Sequence, residues 1–173
     1  GHARADFWRW VCSWGAIVKM PSDIGGDDSG YVLPALRYHD HVIPGSRESA
    51  LKSGMLFAAP AMTLNEERAA RRGTIAERVY RAAGIVNATK DQAIVWCGLN
   101  EESEMLTATI RGAIEVTGSQ EDDDKEARIE SFLRGEARVL VSKSSICGFG
   151  LNLQQIGCVV FCGVSHSFEQ FYQ

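Results

Sequence analysis

No stretch of the 173-residue sequence approaches the ~18 consecutive apolar residues of a membrane span, and the first ten residues, GHARADFWRW, lack the apolar centre of a secretory leader. These two absences give the expectation of a soluble protein of the cytoplasm. The five cysteines, Cys12, Cys97, Cys147, Cys158 and Cys162, are odd in number and form no CxxC pair. Neither a disulfide framework nor a zinc site is therefore expected, and the thiols within apolar runs read as buried and reduced. GxxxxGK[ST] occurs nowhere, which excludes a Walker A loop, and GFGLNL lacks the third glycine of the dinucleotide fingerprint. A whole ATPase or a whole dehydrogenase is not encoded. Missing as well is a His, Asp or Cys constellation that would serve an α/β nucleotide-binding enzyme of other chemistry. Positive charge is scarce: the net charge is −4, with 12 Lys and Arg against 9 Asp and Glu in residues 1–90 and 6 against 13 in residues 91–173. Dedicated nucleic-acid binders are usually basic, so composition speaks against a role as a general electrostatic glove and leaves room for a local basic surface.

What is present suffices for one proper core: 45% of the residues are hydrophobic. Phe7, Trp10, Val11 and Trp14 recur at helical spacing and predict an amphipathic helix over about residues 5–18. MPSDIGGDDSG then carries turn chemistry, and YVLPALRYHDHVI predicts an extended stretch from Leu36 to Ile43. Gly45, in PGSRES, marks the expected boundary between an interdomain segment, 1–45, and a larger domain, 46–173. Thr63 and Glu66 form a capping box opening one helix that runs to Gly84, with Ala69, Ala76, Val79, Tyr80 and Ala83 on one face and Arg71, Arg78 and Arg81 on the other.

From there the chain alternates. AIVWCG (93–98) reads as a buried strand, NEESEMLTATIRG as a helix capped by Asn100, and IEVTG (114–118) as a strand. SQEDDDKEARIESFLRG reads as a helix whose early acids suit the dipole and whose Gly135 suits the stop. RVLVS and CVVFCG are two further strands, and Ser167 with Gln170 opens a last short helix. A helix that short has almost no cooperative stability alone, so the domain is expected to be incomplete. Strand–helix alternation of this kind predicts an α/β fold, a parallel sheet flanked by helices. In such sheets ligands bind where loops leave the carboxyl ends of strands. VLVSKSSICGFGLNLQ, Val139 to Gln154, supplies such a loop: Gly148 and Gly150 allow left-handed angles and close approach, and Ser142, Lys143, Ser144 and Ser145 add phosphate partners.

AIVWCGLNEESEML, IEVTGSQEDDDKEARIESFLRGEARVLVSKSSICGFGLNLQ and CVVFCGVSHSFEQFYQ, in that order, resemble the second RecA-like domain of superfamily 2 helicases, specifically the DEAD-box-related, Swi/Snf-like helicases of phages. The likeness covers about residues 85–173, and FWRWVCSWGAIVKMPSDIGGDDSGYVLP resembles the segment joining the two RecA-like domains in that family. It implies a P-loop NTPase-like, RecA-like helicase domain, cut at its C-terminus, whose motif IV is the first strand and helix. Motif V is the strand entering Gly-x-Gly-x-Asn-Leu-Gln, and motif VI opens around Gln170 and Gln173, ahead of two arginines that lie beyond the sequence. By resemblance Gly148, Gly150, Asn152 and Gln154 face a nucleotide, and Ser119, Gln120, Ser142 and Lys143 face a nucleic-acid backbone. The implied cofactors are ATP and Mg, held mainly by a preceding RecA-like domain. The implied partners are that domain and nucleic acid, DNA in the first instance, with no membrane and with a bacterial or phage-infected cytoplasm as the setting. The motif VI arginines stabilise transferring phosphoryl charge, so this chain alone is expected not to hydrolyse ATP. A non-catalytic nucleic-acid- or protein-binding module with a helicase-like fold is the alternative.

Other features carry plainer readings. His39 and His41 have no third ligand nearby and read as a partly exposed strand, so no metal site is expected. Arg68, Arg71, Arg72, Arg78 and Arg81 could follow a phosphate backbone, but interleaved glutamates favour a solvated helix face. Trp8, Trp10 and Trp14 could stack on bases, yet the spacing favours a core or domain-interface role for Trp10 and Trp14. EDDDKE is a helix start and Cys147 a small loop residue.

Overall fold

A computed structural model of the chain describes residues 4–16, 18–32, 35–44, 62–164 and 167–172. The chain divides into two compact units, Gly1–His41 and Val42–Gln173. The expected boundary at Gly45 lies outside the described residues.

In the first unit, helix α1 (Ala5–Trp14) ends where Gly15 turns out of the helix, its N–H still bonded to the Val11 carbonyl. Its aromatic side chains are exposed: Phe7, Trp8, Trp10 and Trp14 are 46–66% accessible and lean on one another, with Trp10 and Trp14 ring centres 5.3 Å apart and edge to face. Of the core or domain-interface role expected of Trp10 and Trp14, the core alternative is not met within this unit. A 3-10 turn, Pro21–Ile24, follows, its entrance tied by Asp23, whose carboxylate accepts from the Lys19 and Met20 N–H groups. Residues 35–44 form no strand, contrary to the expected Leu36–Ile43 stretch. Leu36, Tyr38 and Val42 are exposed, and an extended segment without a pairing partner does not hold as a strand.

Among the described residues of the second unit, two helices stand where the sequence predicts one. α2 (Leu64–Gly73) opens on the expected capping box: Thr63 Oγ1 accepts from Glu66 N, and the Glu66 carboxylate accepts from Thr63 N at 3.0 Å. It stops at Thr74, and α3 (Ile75–Ala88) continues past Gly84. The break has a local cause. Gly73 and the β-branched Thr74 are poor helix formers, and the Thr74 hydroxyl turns back onto the Ala70 carbonyl at 3.0 Å. α3 buries Ile75, Val79, Ala82, Ala83 and Val86. Tyr80, expected on that face, is 80% exposed instead, because the break rotates the apolar stripe onto Ile75 and Ala82.

Four strands follow, β1 (Ala93–Cys97), β2 (Ala113–Val116), β3 (Val139–Lys143) and β4 (Cys158–Phe161). All pairs are parallel, in the order β2-β3-β1-β4, so the fold is the α/β, RecA-like parallel sheet read from the sequence. The strands are joined by α4 (Asn100–Thr109), α5 (Asp122–Leu133), one-turn α6 (Ser144–Cys147) and the loop after it; α7 (Phe168–Tyr172) follows β4. β1 sits centrally and is buried throughout, its alternate side chains feeding two cores. Val95 and Cys97 join Val79, Ala82, Val86, Leu106 and Val141 on one face; Ile94 and Trp96 join Val116, Phe132, Leu140 and Cys147 on the other. β1 to β2 and β2 to β3 travel across the sheet in opposite directions, so right-handed crossovers put α4 and α5 on opposite faces. That is where the two cores find Leu106 and Phe132. Arg138 fastens the far end, donating to the Val86 and Thr89 carbonyls at the end of α3 and to the Arg111 carbonyl.

Candidate functional site

The registers Cys97↔Lys143, Val116↔Ser142 and Trp96↔Phe161 place all four strand exits on one edge of the sheet. That edge gathers Gly98–Asn100, Thr117–Gln120, Lys143–Ser144 and Cys162–Gly163. Four parallel strands end there with their loops free to meet a ligand.

Two kinds of residue occupy it. Some hold loops. Gln120 folds back so that its amide oxygen accepts from Thr117 N at 3.0 Å and its amide nitrogen donates to the Glu115 carbonyl, which stiffens the turn after β2. Ser142 is fully buried, and its hydroxyl donates to the Val116 carbonyl at 2.7 Å. It therefore pins β2 to β3 rather than standing at the surface. Others present themselves. Lys143, half-buried, sends its ammonium to Asn100 Oδ1 at 2.6 Å, bridging the ends of β3 and β1. Ser119 is exposed, its hydroxyl 3.2 Å from that of Thr117. Ser144 and the half-buried Gln170 face each other at 3.4 Å, which brings α7 beside α6. Gln173 lies outside the described residues.

The glycine loop begins with an unexpected turn of helix, α6. Gly148 is not left-handed, as the sequence suggested, but right-handed helical (φ −78°), with its N–H on the Ser144 carbonyl at 2.8 Å. Its need for glycine is steric: a Cβ there would lie 2.1 Å from Ser144 O. Gly150 does take a positive φ, 78°, and nothing surrounds the place a side chain would fill. Beyond it burial alternates along the chain. Leu151 and Leu153 pack on the core shared by Phe132 and Cys147, while Asn152 and Gln154 are exposed, Asn152 Oδ1 accepting from Gln154 N. The buried Cys147 on one side and the two leucines on the other hold Gly150, Asn152 and Gln154 as a fixed, exposed polar strip.

A buried ion pair, unforeseen in the sequence, lies behind the strand exits. Glu102, 1% exposed, accepts from Gly98 N at 2.7 Å and Leu99 N at 3.0 Å, capping α4, so the expected cap, Asn100, is displaced one residue into the helix. Its other oxygen pairs with Arg78, whose guanidinium also donates to the Cys162 carbonyl and the Arg71 carbonyl, both at 2.6 Å. The interleaved glutamates predict a solvated face for Arg78; instead it joins the α2–α3 elbow, the start of α4 and the exit of β4. Gly163 packs so closely that a Cβ there would lie 2.7 Å from the Glu102 carboxylate. The only signal in the sequence was the spacing of Glu102 from Leu99, that of a capping carboxylate at the third helical position. Burial, and secondarily the negative charge of Glu102, push the neighbouring Cys162 thiol up to about 12; burial also raises Cys97 and Cys147.

Among the described residues no group of three His, Cys, Asp or Glu side chains is placed to hold a metal ion, and no helix is long and apolar enough to cross a membrane. No curated protein matches the chain. The family model described as the helicase conserved C-terminal domain matches residues 76–173, from the first turn of α3 through the whole sheet.

Proposed function

Since the chain belongs to the helicase conserved C-terminal domain family, whose members generally engage nucleic acid and an N-terminal helicase domain, we propose that it works as the second RecA-like domain of an ATP-dependent nucleic-acid helicase or translocase of the DEAD-box-related phage type, in the cytoplasm. One observation carries this: a single short segment, Lys143 to Gln154, carries a cation and hydroxyls at the carboxyl end of β3 and then, past the open turn at Gly150, the exposed polar side chains of Asn152 and Gln154. A motor needs such a segment, because hydrolysis does work only if the group that senses the nucleotide is mechanically continuous with the group that grips the strand. Lys143 and Ser119 would meet the phosphate backbone, with Ser142 and Gln120 holding their loops. Gly150, Asn152 and Gln154 would meet ATP, and Gln170 stands at the start of the segment that completes the site.

The residues here suit contact with a nucleotide but not its sole custody. The loop offers neutral polar side chains, and on this reading the preceding RecA-like domain holds most of the triphosphate and its Mg. The purified chain is accordingly expected to show no ATP turnover, and to gain nucleic-acid-stimulated turnover when that domain is joined to it. Hydrolysis by the chain alone, surviving removal of contaminants, would overturn the reading, as would a joined protein that ignores nucleic acid. The surplus of acid in residues 91–173 favours a second reading, a non-catalytic binding module. The joined protein separates them: binding without turnover identifies the module.

A further inference from the structure

The glycine loop carries one side chain that neither group of contacts employs. Phe149 stands between Gly148 and Gly150 and is 46% exposed. Its neighbours in sequence are anchored inward, Cys147 at 2% exposure on one side and Leu151 and Leu153 packed on the core on the other. The loop could have placed an apolar ring where Leu151 sits; it places the ring outside. Two residues without side chains flank it, and the site beside Gly150 is open, so a flat ligand could lie against the ring. One turn of helix, about 6 Å of rise, separates the loop from Lys143, and Ser144 and Ser145 lie on that turn.

Resting on the proposed function, we infer that Phe149 is a stacking platform for a nucleobase of the strand whose backbone meets Lys143 and Ser119. Every base presents a π-face, so such a contact adds grip without sequence preference. Placed in the segment that also meets ATP, it would tie that grip to the nucleotide state.

The test uses the full chain with a labelled oligothymidylate, an abasic strand of the same length, and ATP. Phe149→Ala is expected to weaken oligothymidylate binding roughly 5- to 150-fold, the loss of one stacked base, while leaving the abasic strand unaffected; Phe149→Trp is expected to restore the affinity. Equal binding of oligothymidylate by wild type and Phe149→Ala would overturn the inference and leave the proposed function standing. A loss shared by the abasic strand would overturn it too, since the ring would then be shaping the loop, and a loss confined to ATP would move the contact to adenine. Should the wild-type chain bind neither strand, the proposed function falls and this inference with it. Being exposed, the ring can be changed without risk to the core, and circular dichroism of each variant checks this.

Discussion

Arg78 and Glu102 illustrate what a sequence conceals at the scale of single residues. Arg78 sits in an arginine-rich helix with glutamates interleaved, a pattern that ordinarily means solvent. Only the break at Thr74 turns it inward, and only the strand order brings Cys162 within its reach. Burying two charges is costly unless every polar atom finds a partner, and here the Gly98, Leu99 and Cys162 backbone groups supply them. Removing one member strands the other. Arg78→Met and Glu102→Leu are each expected to destabilise the domain by about 3–5 kcal/mol, and the double variant by clearly less than the sum. Urea melts of the four proteins check this, and strict additivity would mean the pair is not coupled. The thiols offer a second prediction. Cys97, Cys147 and Cys162 are buried with raised pKa values, whereas Cys12 is exposed. A thiol reagent at mildly alkaline pH should modify Cys12 quickly and those three only on unfolding, with mass mapping as the readout. Fast labelling of Cys147 would show that the glycine loop opens.

At the scale of elements, most of the sheet could be read because each strand is a short β-branched run between turn residues, and each helix between strands carries its own start or stop. Gly135, at φ 75°, ends α5 as its sequence implied. What could not be read was set by contacts distant in sequence or by one torsion. The turn of helix at Ser144–Cys147 has no periodicity to betray it, and the Thr74 elbow looks like continuous helix. The two loop glycines separate here, one required for space and one for φ. Gly150→Ala should cost about 1–2 kcal/mol, the penalty of a left-handed L-residue, and Gly148→Ala more, since backbone at 2.1 Å cannot move aside without unwinding α6. Melting temperatures rank them; the reverse order would refute the close approach at Ser144. The α2 cap responds to acid. Hydrogen bonds from Met62 N and Thr63 N hold the Glu66 carboxyl below its ordinary 4.5. A depressed folded value means the stabilisation is whole above 4.5 and disappears as pH falls through the lower one. Fraying at the start of α2, followed by amide exchange on acidification, should therefore appear below 4.5, and Glu66→Ala, which removes the acceptor, should show it already at neutral pH.

For the whole molecule the charge balance sets how the domain can hold nucleic acid. With −7 on residues 91–173, the grip proposed at the sheet edge works against a negative half of the chain and rests on a few contacts. Lys143 is a cation at that edge, already oriented by Asn100. A domain touching one or two phosphates releases one or two counterions. The slope of log affinity against log salt for single strands should then lie near about −0.7 to −1.4, far shallower than that of a dedicated binder. Lys143→Ala should flatten it by about 0.7, whereas Asn100→Ala, which frees the ammonium without removing it, should weaken binding with little change of slope. Titrations of a labelled strand between about 50 and 200 mM salt decide the matter. A steep slope that Lys143→Ala leaves untouched would place the grip elsewhere on the chain. A shallow one that Lys143→Ala flattens would place the grip at Lys143, and on the function proposed above the remaining affinity would be left to a second domain closing over the strand, so that holding and releasing it follow the nucleotide rather than the salt.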